Sequence, residues 1–454
     1  MKKNSAIGVI SILFLACFML FSAACSRTQS GSQPSQNAAG TASAAATAAG
    51  DGDIVRELYR GTNSTTVRLA FNGVEFDQRA LGIVLNEYVQ ETGNSVELMY
   101  VPTSGGWGGY FQKLQTMIAS GDYPDLIRIA IEGFLIFQSQ GLIDPIDSYF
   151  DKYPEQREIL NGLHPRILDP FRVDGKLYGL TFDWNNIVTH INTNILTEAG
   201  LSMPPNNWNM AQFLDYAQKM TFTRADGTKV FGTCIPDYYF AMSCWLFNNG
   251  ASILNRDMTA AAINSPESVE VFQFFQDLIY KYEVSPRPPI NSEQLFMNDQ
   301  IGMYYAGRWP LRSYKDSGFS AMDVVPLPTN KQPVAIFGSG IFPILSASRN
   351  KDAAFLLACK LSSAKSQDTI LQIGAIPANT AIMDRMVEIN DFPKNTKIYR
   401  ETADIARVVE SPATYADIQA AFDRALSRIL ANEATAKDAL DVCAREINDI
   451  IAYN

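Results

Sequence analysis

Histidine and cysteine, which build most zinc sites and all disulfides, are scarce in this sequence. Of its 454 residues, two are histidine and six are cysteine. His164 and His190 are too few for a histidine-rich metal site or for the zinc motif HExxH. No cysteine pair has the spacing CxxC, and the four cysteines beyond residue 25 are too sparse for a disulfide framework. We therefore expect no metal centre and no cross-linked scaffold.

The motifs of nucleotide chemistry and of serine hydrolases are also missing. The sequence contains neither GxxxxGK[ST] nor GxGxxG, and it has no GxSxG nucleophile motif. The net charge is −10, and no basic block is interleaved with aromatic residues. Nucleic acid is therefore not expected as a partner, and no cofactor is expected.

The N-terminus has the layout of a secretory signal. Lys2 and Lys3 precede an apolar run over 6–21, and small residues then lead to Cys25. This arrangement resembles the lipobox of bacterial lipoproteins, which implies a signal peptide over 1–24 and a lipid on Cys25. Cys17 is a rival site, but it would leave a very short apolar region. An uncleaved anchor is disfavoured because the run is shorter than the roughly 20 residues that span a bilayer.

The segment after Cys25 has the composition of a tether. From Ser26 to about Asp53 it consists mainly of Ser, Gln, Ala, Gly and Thr, with almost no large apolar side chains. Such a segment cannot bury enough surface to offset the entropy of ordering it. We expect a lipid-anchored flexible linker over 25–62, which holds a globular body away from the membrane.

The first part of the remaining chain alternates between strand and helix patterns. Strands are predicted at 66–71, 96–101 and 125–130, with helices over 81–89 and 110–118 between them. This order is typical of a parallel sheet with crossover helices. Ligands of such sheets bind beyond the carboxyl ends of the strands, which singles out the loops beginning at Asn72, Pro102 and Ile131.

A polar and aromatic cluster interrupts two later strand patterns. The apolar runs 177–182 and 187–191 are separated by Asp183, Trp184, Asn185 and Asn186. A strand that stops in such residues and then restarts predicts a crossing between two lobes with a ligand beside it. The glycine-rich stretch 105–109 is interpreted as a mobile loop that gives access to Trp107, because it lacks a phosphate-binding pattern.

Several local features complete the pattern. Asn207 or Asn209 caps one predicted helix, and Ser265 followed by proline begins another. Residues 225–228 predict a turn between two strands. Cys359 and Cys443 lie on apolar sides of helical patterns, where buried thiols are expected, while pairing of Cys234 with Cys244 stays open.

Short motifs follow one another in a definite order: KLQTMIASGDYPD at 113–125, GLIDPID at 141–147, GKLYGL at 175–180, EAGLSMPPNNW at 198–208 and GRW at 307–309. Their order resembles that of the extracellular solute-binding proteins of bacterial ABC importers, in the carbohydrate-binding family with the maltose-binding-protein fold. Two departures are visible: Thr181 replaces a proline of the family, and the segment around His190 lacks its usual aromatic residue.

The resemblance implies an α/β fold of two lobes with a hinge and a ligand cleft between them. The expected first lobe is 63–182 with 326–378, and the second is 183–325 with 379–454. Closure of the lobes around the ligand is implied. The implied partners are a small solute, in particular a carbohydrate, the permease subunits of an ABC importer and, through the lipid, the outer face of the cell membrane. A monomer without enzymatic activity is expected.

Sugars present apolar C–H faces and hydroxyl rims, so a site for them needs aromatic rings and planar polar groups. The residues expected to bind ligand are Asn72, Trp107, Glu132, Asp183, Trp184, Asn185, Trp245, Arg308, Trp309 and Ser339. Alternatives exist for several: core packing for Trp245, solvation for Glu132, an ion pair across the domain for Arg308, and a tight turn for the glycines beside Ser339.

Two other functions compete with solute capture. A secreted glycoside hydrolase also needs carboxylates and tryptophans in a cleft, and the spacing of its carboxylates is spatial rather than sequential. A surface lipoprotein that binds a macromolecular partner is the third hypothesis. A fluorescence change with a sugar, without release of product, distinguishes binding from hydrolysis.

Overall fold

The computed structural model describes residues 54–72, 78–103, 106–371, 374–389 and 392–453. The predicted signal peptide, Cys25 and all but the last residues of the predicted linker lie outside these ranges, as does the loop that follows Asn72. In the described ranges, none of the helices combines the length and hydrophobicity of a membrane span.

The described residues contain eighteen strands: β1 Val55–Tyr59, β2 Thr66–Phe71, β3 Ser95–Tyr100, β4 Leu126–Ile127, β5 Ile129–Ala130, β6 Ile143–Asp144, β7 Arg172–Val173, β8 Lys176–Leu177, β9 Leu180–Asn185, β10 Val188–Asn192, β11 Phe222–Thr223, β12 Lys229–Val230, β13 Met303–Ala306, β14 Met322–Val325, β15 Ala335–Phe342, β16 Ile344–Leu345, β17 Ile376–Pro377 and β18 Ala406–Val408.

The helices in the same ranges are α1 Gln78–Thr92, α2 Gly106–Ala119, α3 Ile131–Ser139, α4 Asp147–Lys152, α5 Glu158–Gly162, α6 Pro165–Leu168, α7 Thr193–Glu198, α8 Met210–Lys219, α9 Tyr239–Asn248, α10 Pro266–Tyr280, α11 Ser292–Met297, α12 Leu311–Ser317, α13 Lys351–Ser362, α14 Ala364–Ile370, α15 Thr380–Ile389, α16 Lys397–Glu401, α17 Tyr415–Leu430 and α18 Ala436–Tyr453. Short 3₁₀ turns lie at Pro154–Arg157, Asp169–Phe171 and Thr402–Ile405.

The first sheet has six strands in the order β1-β3-β2-β4-β16-β6. Strand β2 is parallel to both β3 and β4, and the helices α1 and α2 connect these strands. The predicted parallel sheet with crossover helices is therefore confirmed. The apolar face predicted for α1 is buried, from Leu81 to Val89, because its spacing turns one stripe of side chains toward the sheet.

The expectation that a flexible linker reaches residue 62 is wrong. Strand β1 pairs antiparallel with β3 from Val55 opposite Tyr100 to Tyr59 opposite Val96. Most of its side chains are exposed, as on the outer strand of a sheet that packs little against the core. Residues 55–59, which the prediction assigned to the linker, are therefore part of the first sheet.

The third predicted strand divides at a charged residue. Strand β4 remains in the first sheet, whereas β5 pairs antiparallel with β15 in another sheet. Arg128 lies between them and is 2% exposed. The change of sheet at this residue carries its side chain into the region where the two sheets meet.

Four further sheets lie in the described residues, and two of them are the two-stranded pairs β7-β8 and β11-β12. Strands β13-β10-β14 form a three-stranded antiparallel sheet. A connecting sheet, in the order β17-β9-β15-β18 with β5 also paired to β15, joins it to the first sheet. Strand β9 continues through Asp183 and Trp184 to Asn185, so the expectation that a strand stops before this cluster is wrong.

The local predictions of helix ends and turns are confirmed. Asn209, rather than Asn207, caps α8 with a capping box, and Ser265 caps α10. Strands β11 and β12 pair on either side of the predicted turn. The glycine-rich stretch is different: from Gly106 onward it forms the first turn of α2 rather than a loop. Of the cysteines in the described ranges, Cys234, Cys244, Cys359 and Cys443 are all buried free thiols.

Candidate functional site

A cavity of about 130 Å³ lies where the connecting sheet meets α2, α3 and the start of α9. We call it the cleft cavity; it is lined by Trp107, Arg128, Ala130, Glu132, Asp183, Asn185, Tyr238, Phe240, Trp309, Gly338 and Ser339. Six of the ten residues expected to bind ligand are in this set: Trp107, Glu132, Asp183, Asn185, Trp309 and Ser339. The fold brings them together from five separate stretches of the chain.

An ion pair is buried at one side of the cleft cavity. Arg128 Nη2 donates to both carboxylate oxygens of Asp183, at 2.9 and 2.7 Å. Its Nη1 donates to Asn72 Oδ1 at 3.2 Å. All three side chains are at most 2% exposed. Asn72 thus contacts the ion pair from behind instead of lining the cavity, and we call the three residues the charged cluster.

Burial and charge act in opposite directions on the charged cluster. Burial raises the pKa of the Asp183 carboxyl above its ordinary value, and the Arg128 guanidinium opposes that shift. The guanidinium also lies 5.4 Å from the centre of the Phe182 ring. A Cβ at position 340 would lie 3.0 Å from Arg128 Cζ, so Gly340 gives the guanidinium its space.

Two hydroxyl groups bind the backbone carbonyl of Asp183. Thr181 Oγ1 and Ser339 Oγ each donate to this oxygen at 2.9 Å, and the two hydroxyls are 3.0 Å apart. Each hydroxyl has one proton, and both protons are donated to the carbonyl, so neither is left for the contact between the two hydroxyls. Thr181, one of the departures from the family pattern, therefore fixes β9 beneath the cavity through a group that proline does not have. The Ser339 hydroxyl is thus already hydrogen-bonded within the protein.

Asn185 and Glu132 offer polar groups to the cavity. Asn185 Oδ1 is buried and has no hydrogen-bond partner within the described part of the chain. Buried polar atoms are normally hydrogen-bonded, so this oxygen is suited to accept a bond from a ligand hydroxyl. Glu132 is 4% exposed and lies in the first turn of α3, where the helix dipole favours its negative charge.

Aromatic rings surround these polar groups. Trp107 stacks on Phe111 with ring centres 5.8 Å apart and an interplanar angle of 18°. Phe240 lies close above Gly338, where a Cβ would be 2.7 Å from the ring. Trp309 lies equally close to Gly307, where a Cβ would be 2.3 Å from the Trp309 ring. Two glycines thus let rings approach the backbone around the cavity.

His190 holds the turn that carries Trp309. Its Nε2 is 2.9 Å from the Gly307 carbonyl oxygen, and its Nδ1 is 3.2 Å from the Tyr314 hydroxyl. Because a carbonyl only accepts, Nε2 carries the proton and Nδ1 accepts from Tyr314. Burial lowers the pKa of His190 to about 4, so the ring is neutral at pH 7. His190 is fully buried and does not line the cleft cavity.

Trp184 lies on the opposite face of β9 from Asp183 and Asn185, contrary to its expected ligand role. It is fully buried and stacks on Phe337, with ring centres 5.9 Å apart and an interplanar angle of 17°. Successive side chains of a strand point to opposite faces. Asp183 and Asn185 therefore line the cavity, while Trp184 packs into the core.

Arg308 and Trp245 also lie away from the cleft cavity. Arg308 Nη1 donates to the backbone carbonyls of Leu371 and Ala375, at 3.0 and 2.9 Å. It lines a separate cavity bounded by α12, α14 and α15, which we call the second cavity. Trp245 is 3% exposed and packs edge-on against Phe275 and Tyr305. Of the two roles considered for Trp245, the structure has it packed in the core.

Five lining residues were not among the ten expected to bind ligand: Arg128, Ala130, Tyr238, Phe240 and Gly338. Arg128, Tyr238 and Phe240 are the three of them with large side chains. Arg128 had a signal, since it is the one charged residue inside the apolar run Leu126–Ala130, and a charge in a buried strand needs a partner. Tyr238 and Phe240 had no such signal, because they stand in the aromatic and apolar run 238–242 at the start of α9.

Comparisons with known proteins identify the family of this chain. The family model described as bacterial extracellular solute-binding protein matches residues 84–426, which is more than half of the chain. A putative binding protein of Brucella abortus is 27% identical over 209 residues, covering 43% of this chain and 47% of the relative. The maltotriose-binding protein of Pyrococcus abyssi is 24% identical over 253 residues, covering 53% and 51%. The chain spans about half the length of these curated relatives.

The fold is also similar to a solved structure. An ABC substrate-binding protein of Listeria monocytogenes, in complex with cycloalternan, superimposes with a TM-score of 0.76 and 25% identity, covering 86% of this chain and 99% of that one. The likeness confirms the predicted two-lobed α/β fold. Together with the family match over 84–426, it leads to one conclusion: the chain belongs to the bacterial extracellular solute-binding protein family.

Proposed function

We propose that the protein captures an oligosaccharide or a related polyhydroxylated solute in the cleft cavity and delivers it to the permease of an ABC importer. One observation carries this proposal: aromatic rings and polar side chains from both lobes converge on one cavity. Trp107 belongs to the first lobe, and Trp309 belongs to the second. The names of the relatives, which include maltotriose and cycloalternan as ligands, support a saccharide.

The size of the cavity supports a movement of the lobes during capture. Ligand sites for small molecules have volumes of about 300–1,000 Å³, and the cleft cavity has about 130 Å³. An oligosaccharide therefore enters only if the lobes separate. The solute then stabilises the closed arrangement because it contacts both lobes at once.

The charged cluster favours binding without chemical conversion. A retaining glycosidase needs one carboxylate free to attack and a second that donates a proton. Both carboxylate oxygens of Asp183 accept from Arg128, so this carboxylate is positioned as an acceptor within the protein. Of the hypotheses from the sequence, solute capture agrees better with this arrangement than hydrolysis does.

The remaining parts of the proposal concern location and assembly. The family is extracellular, and we propose that a lipid on Cys25 anchors the protein to the membrane after removal of residues 1–24. The first lobe comprises 55–182 with 326–378, and the second comprises 183–325 with 379–454. The protein acts as a monomer. Release of a Cys25→Ser variant into the medium, with the wild type retained in the membrane fraction, tests the anchor.

A panel of mono- and oligosaccharides tests the function. A ligand that binds only the folded protein raises the unfolding temperature, by an amount that grows with its concentration over Kd. We expect such an increase, with a change in tryptophan fluorescence, for at least one saccharide. The same mixtures are analysed for product after prolonged incubation, with boiled protein as control. Release of a shorter sugar would instead support a hydrolase, and the absence of any saccharide effect would contradict the proposal.

A further inference from the structure

The second cavity is larger than the cleft cavity and has different walls. Its volume is about 660 Å³, within the range of about 300–1,000 Å³ that is usual for small-molecule sites. The helix α12 and strand β14 contribute to one side, and α14, β17 and α15 contribute to the other. By the lobe boundaries given above, these elements belong to both lobes.

The walls of the second cavity are mainly apolar. Eight apolar residues are among the described residues that line it: Leu311, Phe319, Met322, Leu371, Pro377, Ile382, Met386 and Phe392. Phe319, Ile382 and Phe392 are partly exposed, while the other five are buried. Methionine adapts its shape to irregular partners, and neither tryptophan nor tyrosine lines this cavity within the described residues. Such walls suit a hydrophobic body better than the face of a sugar.

Cationic side chains stand at the edge of the same cavity. Lys315, Arg385 and Lys394 line it and are exposed. Asp368, the only carboxylate among the described lining residues, forms an ion pair with Arg385. Neither Lys315 nor Lys394 forms an ion pair with a carboxylate in the described ranges. Two positive charges are thus available beside an apolar wall.

We propose that the second cavity binds an amphipathic organic anion. The hydrophobic body of the ligand packs against Leu311, Met322 and Met386, and its carboxylate or sulfonate lies toward Lys315 and Lys394. An organic cation is disfavoured by the like charge, and a neutral apolar molecule gains nothing from the lysines. This ligand differs from the solute of the cleft cavity, so the inference stands whether or not that solute is a saccharide.

Two matched probes and a charge-reversal variant test the inference. The anionic probe is 8-anilinonaphthalene-1-sulfonate, and N-phenyl-1-naphthylamine is its neutral counterpart; both are titrated into the full chain by fluorescence. We expect Lys315→Glu with Lys394→Glu to weaken binding of the sulfonate about tenfold, because attraction becomes repulsion. Binding of the neutral probe should stay unchanged. Equal affinity of the sulfonate for wild type and variant would overturn the inference.

Control variants separate this site from other surfaces. Lys281→Glu with Lys437→Glu makes the same change of net charge at two other exposed lysines, one directly after α10 and one on α18. It should leave the sulfonate affinity unchanged. Trp309→Ala, in the cleft cavity, should also leave it unchanged. A loss in either control as large as in the Lys315 and Lys394 variant would overturn the assignment to the second cavity.

A further variant tests the apolar wall. Met386→Arg, which places a charged chain in that wall, should abolish binding of the neutral probe, and unaltered binding of that probe would contradict the proposed wall. Near-ultraviolet circular dichroism verifies that each variant is folded.

Discussion

The cleft cavity and the second cavity balance their charges in different ways. In the cleft cavity, Arg128 is paired with Asp183 inside the protein, so the polar groups are oriented by their own neighbours. In the second cavity, Lys315 and Lys394 stand exposed at the edge of an apolar wall. The first arrangement is typical of a site organised before its ligand arrives, and the second leaves charge to be balanced by the ligand.

Two adjacent residues of one loop line the two different cavities. Arg308 lines the second cavity and Trp309 lines the cleft cavity. Behind both residues, His190 binds the Gly307 carbonyl and the Tyr314 hydroxyl. Changes in this region should therefore affect the cavities differently, according to which side chain is altered, and the following predictions test that difference.

The largest effect is expected for Arg128→Met, which leaves the Asp183 carboxylate buried without its partner. Removing one member of a buried ion pair costs about 3–5 kcal/mol of unfolding free energy. Urea unfolding measures this loss, and a second change, Asp183→Leu, should restore much of it. The control is Arg157→Met, which breaks an exposed ion pair with Asp151. It should leave the urea concentration at the midpoint of unfolding unchanged. Similar stability of the Arg128 variant and the wild type would show that the pair is not essential to the fold.

The next effect is a dependence of stability on pH that comes from His190. Its pKa is 6.5 in the unfolded chain and about 4 when folded. Between these values the unfolded state binds more protons, so the unfolding free energy falls as the pH is lowered from 6.5 to about 4. This difference corresponds to about 3 kcal/mol.

A comparison of variants isolates the contribution of His190. His190→Gln should lack this part of the pH dependence, and the difference from wild type is measured by urea unfolding at several pH values. His164 is partly exposed, and the pKa of His164 is also lowered by burial, so His164→Gln should change the profile less. Parallel profiles for wild type and His190→Gln would contradict the neutral, buried ring.

A smaller effect is expected on solute affinity. Trp309→Ala should weaken saccharide binding by about 10- to 100-fold, or about 1.4–2.8 kcal/mol, because an aromatic contact at the centre of a site is lost. Trp184→Phe is the matched control, since Trp184 adjoins Asp183 but packs on the opposite face of β9. Its affinity for saccharide should stay within about twofold of wild type, as measured by isothermal titration calorimetry. A loss of affinity in Trp184→Phe equal to that in Trp309→Ala would contradict the alternation of β9.

The smallest effect concerns the hydroxyls that bind the Asp183 carbonyl. Ser339→Ala or Thr181→Val alone should cost about 1 kcal/mol of unfolding free energy, because one donor to that carbonyl remains. The double variant leaves the carbonyl without either donor, so its loss should exceed the sum of the single losses. Additive losses in urea unfolding would show that the two hydroxyls act independently.

The sequence predicts the first sheet well because its strands and helices are local patterns. The spacing of Leu81, Val84 and Leu85 identifies α1, and the strands on either side are short apolar runs. The order of the short motifs likewise identifies the family. Each strand, helix or motif is recognised within a short stretch, and neither long-range packing nor side-chain orientation is needed to read their order along the chain.

The errors in the site have two sources. Residues 180–185 read LTFDWN, so apolar and polar side chains alternate and place Trp184 on the face of Leu180 and Phe182, away from Asp183. The prediction missed this alternation because it ended the strand before Asp183. Arg308 and Trp309 are neighbours in one loop, where no such period gives the orientation of a side chain. The second cavity is assembled from residues between 308 and 396, and no local spacing in the sequence marks it.

The connecting sheet also bears on the proposed separation of the lobes. Strands β9 and β15 are paired antiparallel, with a shift of register between Ser339 and Ile341. Opening the lobes by breaking these hydrogen bonds is costly, whereas twisting the strand pair at its irregular point is not. The shift lies beside Asp183. The irregular point of the strand pair, which is the proposed site of twisting, therefore shares residues with the polar side of the cleft cavity. A change in the stiffness of this strand pair would therefore alter the rate at which the protein exchanges its solute, even if every contact with that solute were preserved.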